Sequence, residues 1–142
     1  MKRPRGGRGN ALAEFALAWP IVLLLVLATV QLAVYGVEAY AARASALVGA
    51  RVGSEAGGSP ATASAAAIQA LSPSLVETSA VAWCPPILGR GAPPAGAVWV
   101  CAVDQGGSFR VAVGGSVPAI VPLPVGLPLH AGASLAKETF QP

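Results

Sequence analysis

One long stretch without any formal charge constrains the fold of this chain more than any other feature. It runs for 23 residues from Phe15 to Val37, and Thr29 and Gln31 are its conspicuous polar side chains. As an α-helix it measures roughly 34 Å, against about 30 Å for the hydrocarbon core of a bilayer. The alternative is a buried core helix, but the remaining chain is too small and too rich in glycine and proline to surround so long a rod. The stretch therefore predicts one transmembrane helix over about residues 15–37.

The charges beside this segment predict its orientation. Four basic residues precede Gly9 with no acidic residue among them: Lys2, Arg3, Arg5 and Arg8. From Asn10 onward there are five basic and six acidic residues, so the basic character belongs to the first nine residues and nucleic-acid binding is not expected. Lysine and arginine are enriched on the cytoplasmic side of membrane segments. We therefore expect a cytoplasmic N-terminus and a body, after about residue 38, on the outer side.

Apolar residues continue at helical spacing beyond the membrane segment. The predicted stripe, which we expect to pack against something outside the membrane, consists of Val37, Tyr40, Ala41, Ala44, Leu47 and Val48. Glycines at 53, 57 and 58 are expected to end the helix, which then covers about residues 10–52. Ser59-Pro60 is typical of a helix start, so a short second helix is predicted before Pro73, with a flexible linker as the alternative.

The chain beyond Pro73 has the composition of strands. Segments 75–84, 97–103 and 109–114 are rich in β-branched and aromatic residues, and residues 104–108 contain the glycines of a hairpin turn. The following tail, residues 117–130, has four prolines and is expected to run extended over the sheet or along its edge. The predicted fold class is α+β: a long N-terminal transmembrane and amphipathic helix, a short second helix and a small antiparallel sheet of about three strands. The domain boundaries are a leader over 1–9, the helix over 10–52 and an exported body over 53–142.

Cys84 and Cys101 are the only cysteines, and His130 is the only histidine. In an oxidising compartment the two cysteines are expected to form a disulfide, with buried free thiols as the alternative. They are too few for a closed metal site, and no metal or cofactor is expected. The acidic residues are scattered, and we find no pattern of a nucleophile, a phosphate loop or paired carboxylates. The sequence therefore predicts neither catalysis nor a small-molecule substrate, and gives His130 a surface or packing role.

The residues ahead of the apolar segment form a recognisable pattern. The stretch RGNALAEFALAWPIVLLLV resembles the start of TadE-like minor pseudopilins of the tight-adherence (Flp-type, type IVb) pilus system, and the body suits the related TadF-like subunits equally well. The matching positions are Arg8, Gly9, Ala11, Glu14, Phe15, Ala16, Leu17 and Pro20. The resemblance covers about 30 residues, and the remainder agrees only in layout, as one long helix followed by a small body.

The resemblance implies a processing and assembly signal. In type IV prepilins a membrane-embedded prepilin peptidase cuts after the glycine, which here leaves Asn10 as the first residue and Glu14 as the fifth. Glu14 is then expected to pair with the α-amine of a neighbouring subunit, with an unpaired interfacial carboxylate as the alternative. Pro20 removes one helical hydrogen bond and is expected to loosen the helix during bundling, or to be a tolerated kink facing lipid. The implied partners are the peptidase, other pilins and pseudopilins, the pilus assembly platform and membrane lipid.

This assigns the protein to the bacterial inner or plasma membrane and, after assembly, to a pilus used in secretion or adhesion. Two other functions remain open from the sequence. One is a small secreted or surface protein with a conventional signal peptide, for which residues 39–44 contain candidate small-residue cleavage sites. However, the apolar segment exceeds the usual 7–15 residues of a signal peptide. The other is an uncleaved membrane scaffold of a secretion machine, which would keep Met1.

Overall fold

The computed structural model describes residues 8–76, 78–85, 91–119 and 126–138, with side chains from Ala11 onward. The first helix, α1, covers Arg8–Ser54 and contains Pro20. It is rich in alanine and leucine, the residues with the highest helix propensity. Most of the predicted leader and Glu77 lie outside the described residues.

The chain turns after α1 through Gly57, whose φ of 85° is a backbone conformation that glycine adopts without steric strain. The second helix, α2, covers Pro60–Leu71, and its start is the predicted one. The backbone N–H of Thr62 donates to Ser59 Oγ at 3.2 Å, and the N–H of Ser59 donates to Thr62 Oγ1 at 3.0 Å. This reciprocal cap and Pro60 at the first helical position explain why an alanine-rich segment is helical here. A short 3-10 turn, Ser72–Ser74, follows.

Two small side chains let α2 return close alongside α1. A Cβ added to Gly49 of α1 would lie 2.8 Å from the carbonyl oxygen of Ala63 and 2.9 Å from Cβ of Ala67. Ala63 and Ala67 are themselves fully buried. The two helices therefore pack at a distance that larger side chains would prevent.

Four strands follow: β1 covers Ser79–Ala82, β2 Ala97–Asp104, β3 Ser108–Val117 and β4 Leu127–Ala136. They form one sheet in the order β1-β2-β3-β4. The β2–β3 and β3–β4 pairs are antiparallel, whereas β1 runs parallel to β2 with Ser79 opposite Ala97. The predicted hairpin joins β2 to β3, where Gly106 has φ of 83° and donates its N–H to Asp104 Oδ1 at 2.8 Å.

One face of the sheet packs against both helices and forms the core. Alternate residues of β2 and β3 point to this face, and Val98, Val100, Val111, Val113 and Phe109 are each at most 1% exposed. Leu129 of β4, Leu71 of α2 and Val117 of β3 complete the set of large buried side chains. The alanines of α1 and α2 lie opposite them.

The α+β class, the long first helix and the short second helix are confirmed. The sheet differs from the expected three antiparallel strands in having a fourth strand and one parallel pair. The fourth strand begins in the proline-rich tail and forms the sheet edge, where Pro128 is tolerated because an edge strand does not need every ladder donor. Residues 120–125 of that tail lie outside the described part of the chain.

The prediction that Gly53 helps to end α1 was wrong. Gly53 lies inside the helix, and a Cβ there would fall within 2.3 Å of the Phe109 ring. Its small size serves packing, because it makes room for the largest fully buried side chain of the body.

Candidate functional site

The first half of α1 is the candidate membrane segment. The side chains of residues 11–30 are all exposed in the described structure except that of Leu27, which is half-buried. The most apolar 18-residue window of α1 has a mean hydropathy of 2.4 and is 6% buried. Leu12, Leu17, Ile21 and Leu25 are each more than 60% exposed. This helix is therefore long and apolar enough to cross a membrane, and its apolar surface has no protein partner within the described residues.

The motif residues lie along the first turns of this uncovered segment. Gly9 and Asn10 are part of the α1 backbone, directly before the residues whose side chains are described. Glu14 is exposed and makes no hydrogen bond or ion pair with any described residue. The rings of Phe15 and Trp19 stack with centroids 5.8 Å apart. The motif thus presents a carboxylate beside an aromatic pair, and nothing in the described body contacts it.

The second half of α1 packs against the body through a face other than the predicted apolar stripe. The buried positions recur every three or four residues and are all small apart from Glu38: Ala41, Ala42, Ser45, Ala46, Gly49, Ala50, Gly53 and Ser54. Of the predicted stripe, only Ala41 is buried. Val37, Tyr40, Leu47 and Val48 are 60%, 75%, 46% and 40% exposed. The body therefore leaves most of the predicted stripe free, because the close approach of α2 and the sheet selects small side chains.

Two contacts join the body to α1 at the point where its covered half begins. The Tyr35 hydroxyl donates to the carbonyl oxygen of Pro128 in β4 at 2.9 Å. Glu38 is 2% exposed and accepts a long hydrogen bond of 3.5 Å from the backbone N–H of Val76. Burial raises the pKa of the Glu38 carboxyl, and the Val76 hydrogen bond opposes this only in part. Neither contact was predictable from a sequence pattern, because the partners come from distant, non-repeating parts of the chain.

Cys84 and Cys101 form the expected disulfide, with their Cα atoms 4.6 Å apart. Cys101 lies in β2, and Cys84 follows β1, so the bond ties together the two neighbouring strands that are parallel. The sequence separation of 17 residues corresponds to roughly 3 kcal/mol of stabilisation in the chain-entropy model. The bond thereby closes a loop that contains the connection between β1 and β2.

The outer face of the sheet carries a row of rings. Trp99 meets Trp83 edge-on at 5.7 Å and His130 edge-on at 6.5 Å between ring centroids. Gly114 lies between Trp99 and His130 in the sheet register, and a Cβ there would come within 2.3 Å of the indole. Beside this row is an open cleft of about 340 Å³ lined also by Pro93 and Pro94. His130 is therefore exposed and packs against Trp99.

Within the described ranges there is no group of three or more His, Cys, Asp and Glu side chains that could hold a metal ion. The only ion pair in this part of the chain joins Lys137 to Asp104 at the β2–β3 hairpin. The hydrogen bond from Lys137, together with that from Gly106, lowers the pKa of the Asp104 carboxyl. The pair ties the end of β4 to the hairpin.

Comparisons with protein-family models, with curated proteins and with solved structures gave no match.

Proposed function

We propose that the chain is a TadE-like minor prepseudopilin of a tight-adherence pilus, inserted in the bacterial membrane with its N-terminus in the cytoplasm. A prepilin peptidase cuts it after Gly9, and the mature subunit assembles by helix packing as a minor component or initiator. The observation that carries the proposal is the fixed spacing of Gly9, Glu14, Phe15 and Pro20 at the start of a helix whose first half is bare. The role is structural, without a catalytic centre, a cofactor or a small-molecule substrate.

The length of the bare segment supports a refined membrane span. Residues 11–30 are 20 residues, about 30 Å of helix, which equals the thickness of the hydrocarbon core. A span over 15–37 would instead place Tyr35 and its β4 partner Pro128 within the hydrocarbon. We therefore assign the span to residues 11–30.

The position of Glu14 supports its role in assembly. With the span at 11–30, this carboxylate lies about one helical turn inside the hydrocarbon, where an unpaired charge is costly. Cutting after Gly9 creates an α-amine on Asn10, and the amine of a neighbouring subunit gives Glu14 a partner. Such a pair in a low dielectric sets the axial register between two helices.

The exposed stripe of Val37, Tyr40, Leu47 and Val48 extends the assembly surface beyond the membrane. These side chains lie on the covered half of α1 but on the face that the body leaves free. Large apolar side chains at helical spacing favour packing against another helix. We assign this face to neighbouring pilins or pseudopilins.

The packing of α1 disfavours a conventional signal peptide. A cut between residues 41 and 45 would divide the helix inside its buried stripe, where Ala42, Ser45 and Ala46 are fully buried. It would also remove Tyr35 and Glu38, the two residues that fasten the body at its membrane end. The mature secreted protein would lose a large part of its core.

Two single substitutions in the leader test the assignment. In cells that contain the cognate peptidase, Gly9→Val should accumulate as the uncut precursor, because a bulky side chain replaces the residue at the cleaved bond. Gly7→Val makes the same change two residues earlier and should be processed like the wild type. The size of the membrane-bound product on a gel reports the result. Normal processing of Gly9→Val would rule out a prepilin-type cut at this position.

A further inference from the structure

One end of the body lies at the level on α1 where the bare segment stops. The two contacts at Tyr35 and Glu38 bring Pro128 and Val76 to this level. Val117 pairs with Leu127 in the sheet, which places the end of β3 beside the start of β4. We name this the proximal end and define it as residues 72–76, 117–119 and 126–128.

The opposite end of the body lies near the C-terminus of α1. The backbone N–H of Glu138 donates to the carbonyl oxygen of Ser54 at 3.1 Å, and the Phe109 ring covers Gly53. Asp104 is paired with Phe109 in the sheet register. This distal end is therefore about 18 residues further along α1 than the proximal end, or roughly 27 Å.

Charge is distributed unequally between the two ends. The described residues of the proximal end, which do not include Glu77 next to Val76, contain no charged side chain, and they include three exposed prolines, Pro73, Pro118 and Pro128. Val76 is 50% exposed there. Charged side chains gather toward the distal end: Arg51, Glu55, Asp104, Arg110, Lys137 and Glu138. Only Arg43 lies between the two ends on α1, and the nearby Glu38 is buried.

We propose that the proximal end rests on the surface of the bilayer that α1 crosses. This rests on the membrane insertion in the proposed function and adds a second lipid contact to it. Exposed apolar side chains and prolines without charges suit the boundary between headgroups and hydrocarbon, whereas the charged distal end suits water. With the span at 11–30, the first covered residue, Gln31, follows the hydrocarbon directly, and the Tyr35 contact lies only about five residues, or roughly 7 Å of helix, beyond the span.

The contact has a consequence for assembly. A body seated on the bilayer cannot slide along α1 or tilt freely, because Tyr35 and Glu38 fasten it to the same helix. The contact between the body and the outer surface of the bilayer then determines how deeply α1, and with it Glu14, lies in the membrane. The proximal end acts as a stop that holds the span at residues 11–30.

Two valines provide a matched pair for the test. Val76 at the proximal end is 50% exposed, and Val103 near the distal end is 44% exposed. Each is replaced by cysteine in the full oxidised chain, labelled with a bimane fluorophore and reconstituted in phosphatidylcholine vesicles. A third variant, Leu24→Cys, carries the label in the middle of the bare segment. Quenching is measured with lipids that bear a nitroxide near the headgroup end or near the methyl end of the acyl chain.

We expect the headgroup-end nitroxide to quench the label at 76 several-fold more than the label at 103, while the methyl-end nitroxide quenches the label at 24. If the label at 24 is quenched but the labels at 76 and 103 are quenched equally, the proposal that the body rests on the bilayer is wrong, and the proposal that α1 crosses the membrane is retained. If the label at 24 is not quenched, the chain is not inserted, and the proposed function fails together with this inference. Measuring the mass of each labelled protein confirms one label per chain and an intact Cys84–Cys101 bond.

Discussion

Glu38 is the residue whose environment differs most from its appearance in the sequence. An acid on a helix just beyond an apolar segment is expected at the surface, yet Glu38 is 2% exposed. The hydrogen bond from Val76 is long and does not replace the lost hydration of a carboxylate. Burial therefore makes the charged form of Glu38 costly in the folded body.

This cost predicts how stability depends on pH. Because folding raises the pKa of Glu38 above its ordinary value of 4.5, the stabilising neutral form is fully populated below that value. The stability it provides is lost as pH rises through the raised folded-state pKa. We expect Glu38→Gln to raise the thermal unfolding midpoint of the detergent-solubilised full chain by a few degrees at pH 7, since the amide keeps the acceptor without the charge.

The difference between the variant and the wild type should shrink as the pH falls toward 4.5. Comparing the two proteins at each pH removes the contribution of Asp104, whose lowered pKa acts in the opposite sense and costs stability in acid. Glu55→Gln, at an exposed acid just beyond α1, is the control and should change nothing. A Glu38→Gln protein less stable than the wild type at pH 7 would mean that the charged carboxylate is required.

Residue-level prediction succeeded where the signal is local. The serine cap and proline start of α2 need only four consecutive residues, and the disulfide needed only two cysteines in a small body. The Tyr35 and Glu38 contacts join residues 93 and 38 positions apart, and no pattern within the sequence links their partners. Such contacts become visible only when the sheet and helices are assembled.

At the scale of elements, α1 carries two stripes at helical spacing. The predicted apolar stripe stays largely exposed in the described structure, and the body packs on alanine, serine and glycine on another face. Both stripes are present in the sequence, but alanine is so abundant throughout the chain that the stripe of small side chains does not stand out. The choice depends on α2, whose own buried residues are mainly alanine and which can therefore approach closely.

Two glycines of α1 test this close packing. Gly53→Ala should destabilise the body by about 1–3 kcal/mol, because the new methyl group overlaps the Phe109 ring in a filled core. Gly36→Ala is the matched change, and no atom lies within 4 Å of its new Cβ. It should be neutral or stabilising by up to about 1 kcal/mol, because alanine favours helix over glycine. Thermal unfolding of both variants in the same detergent measures the contrast, and equal effects would contradict the packing described for Gly53.

The strands were predictable as strands but not in their arrangement. Hydrophobic and β-branched runs located β1, β2 and β3, and the glycine turn located the β2–β3 hairpin. A parallel pair such as β1 and β2 needs a crossover connection, and the segment between these strands carries no periodic signal that would reveal it. The fourth strand was not predictable because it contains Pro128 together with glycine and alanine, which have low β-propensity. It forms because all of its residues pair with the antiparallel strand β3.

For the whole molecule, the sequence predicted the class and the division into a membrane helix and a small body. It placed the membrane segment by charge alone, over 15–37, whereas the covered surface of α1 supports 11–30. The difference arises because an uncharged helix segment can be covered by protein as well as by lipid. Within residues 31–37, Gln31 is buried and Val34 and Tyr35 are half-buried, whereas the other four residues stay exposed.

The molecule contains one long helix whose two halves differ in their surroundings. The first half is bare within the described residues and is long and apolar enough to cross a membrane, and the second half packs against the body. In the proposed function, cleavage after Gly9 frees the amine that pairs with Glu14 and leaves the body intact. The position of the mature N-terminus therefore distinguishes this function from its alternatives.

The most direct test is mass spectrometry of the N-terminal peptide of the mature protein, isolated from the membranes of cells that contain the cognate peptidase. We predict a chain that starts at Asn10, with or without a methyl group on its amine. A chain that starts at Met1 would instead indicate an uncleaved scaffold. A start between residues 42 and 45 would indicate secretion through a conventional signal peptide, and either result would contradict the proposed function.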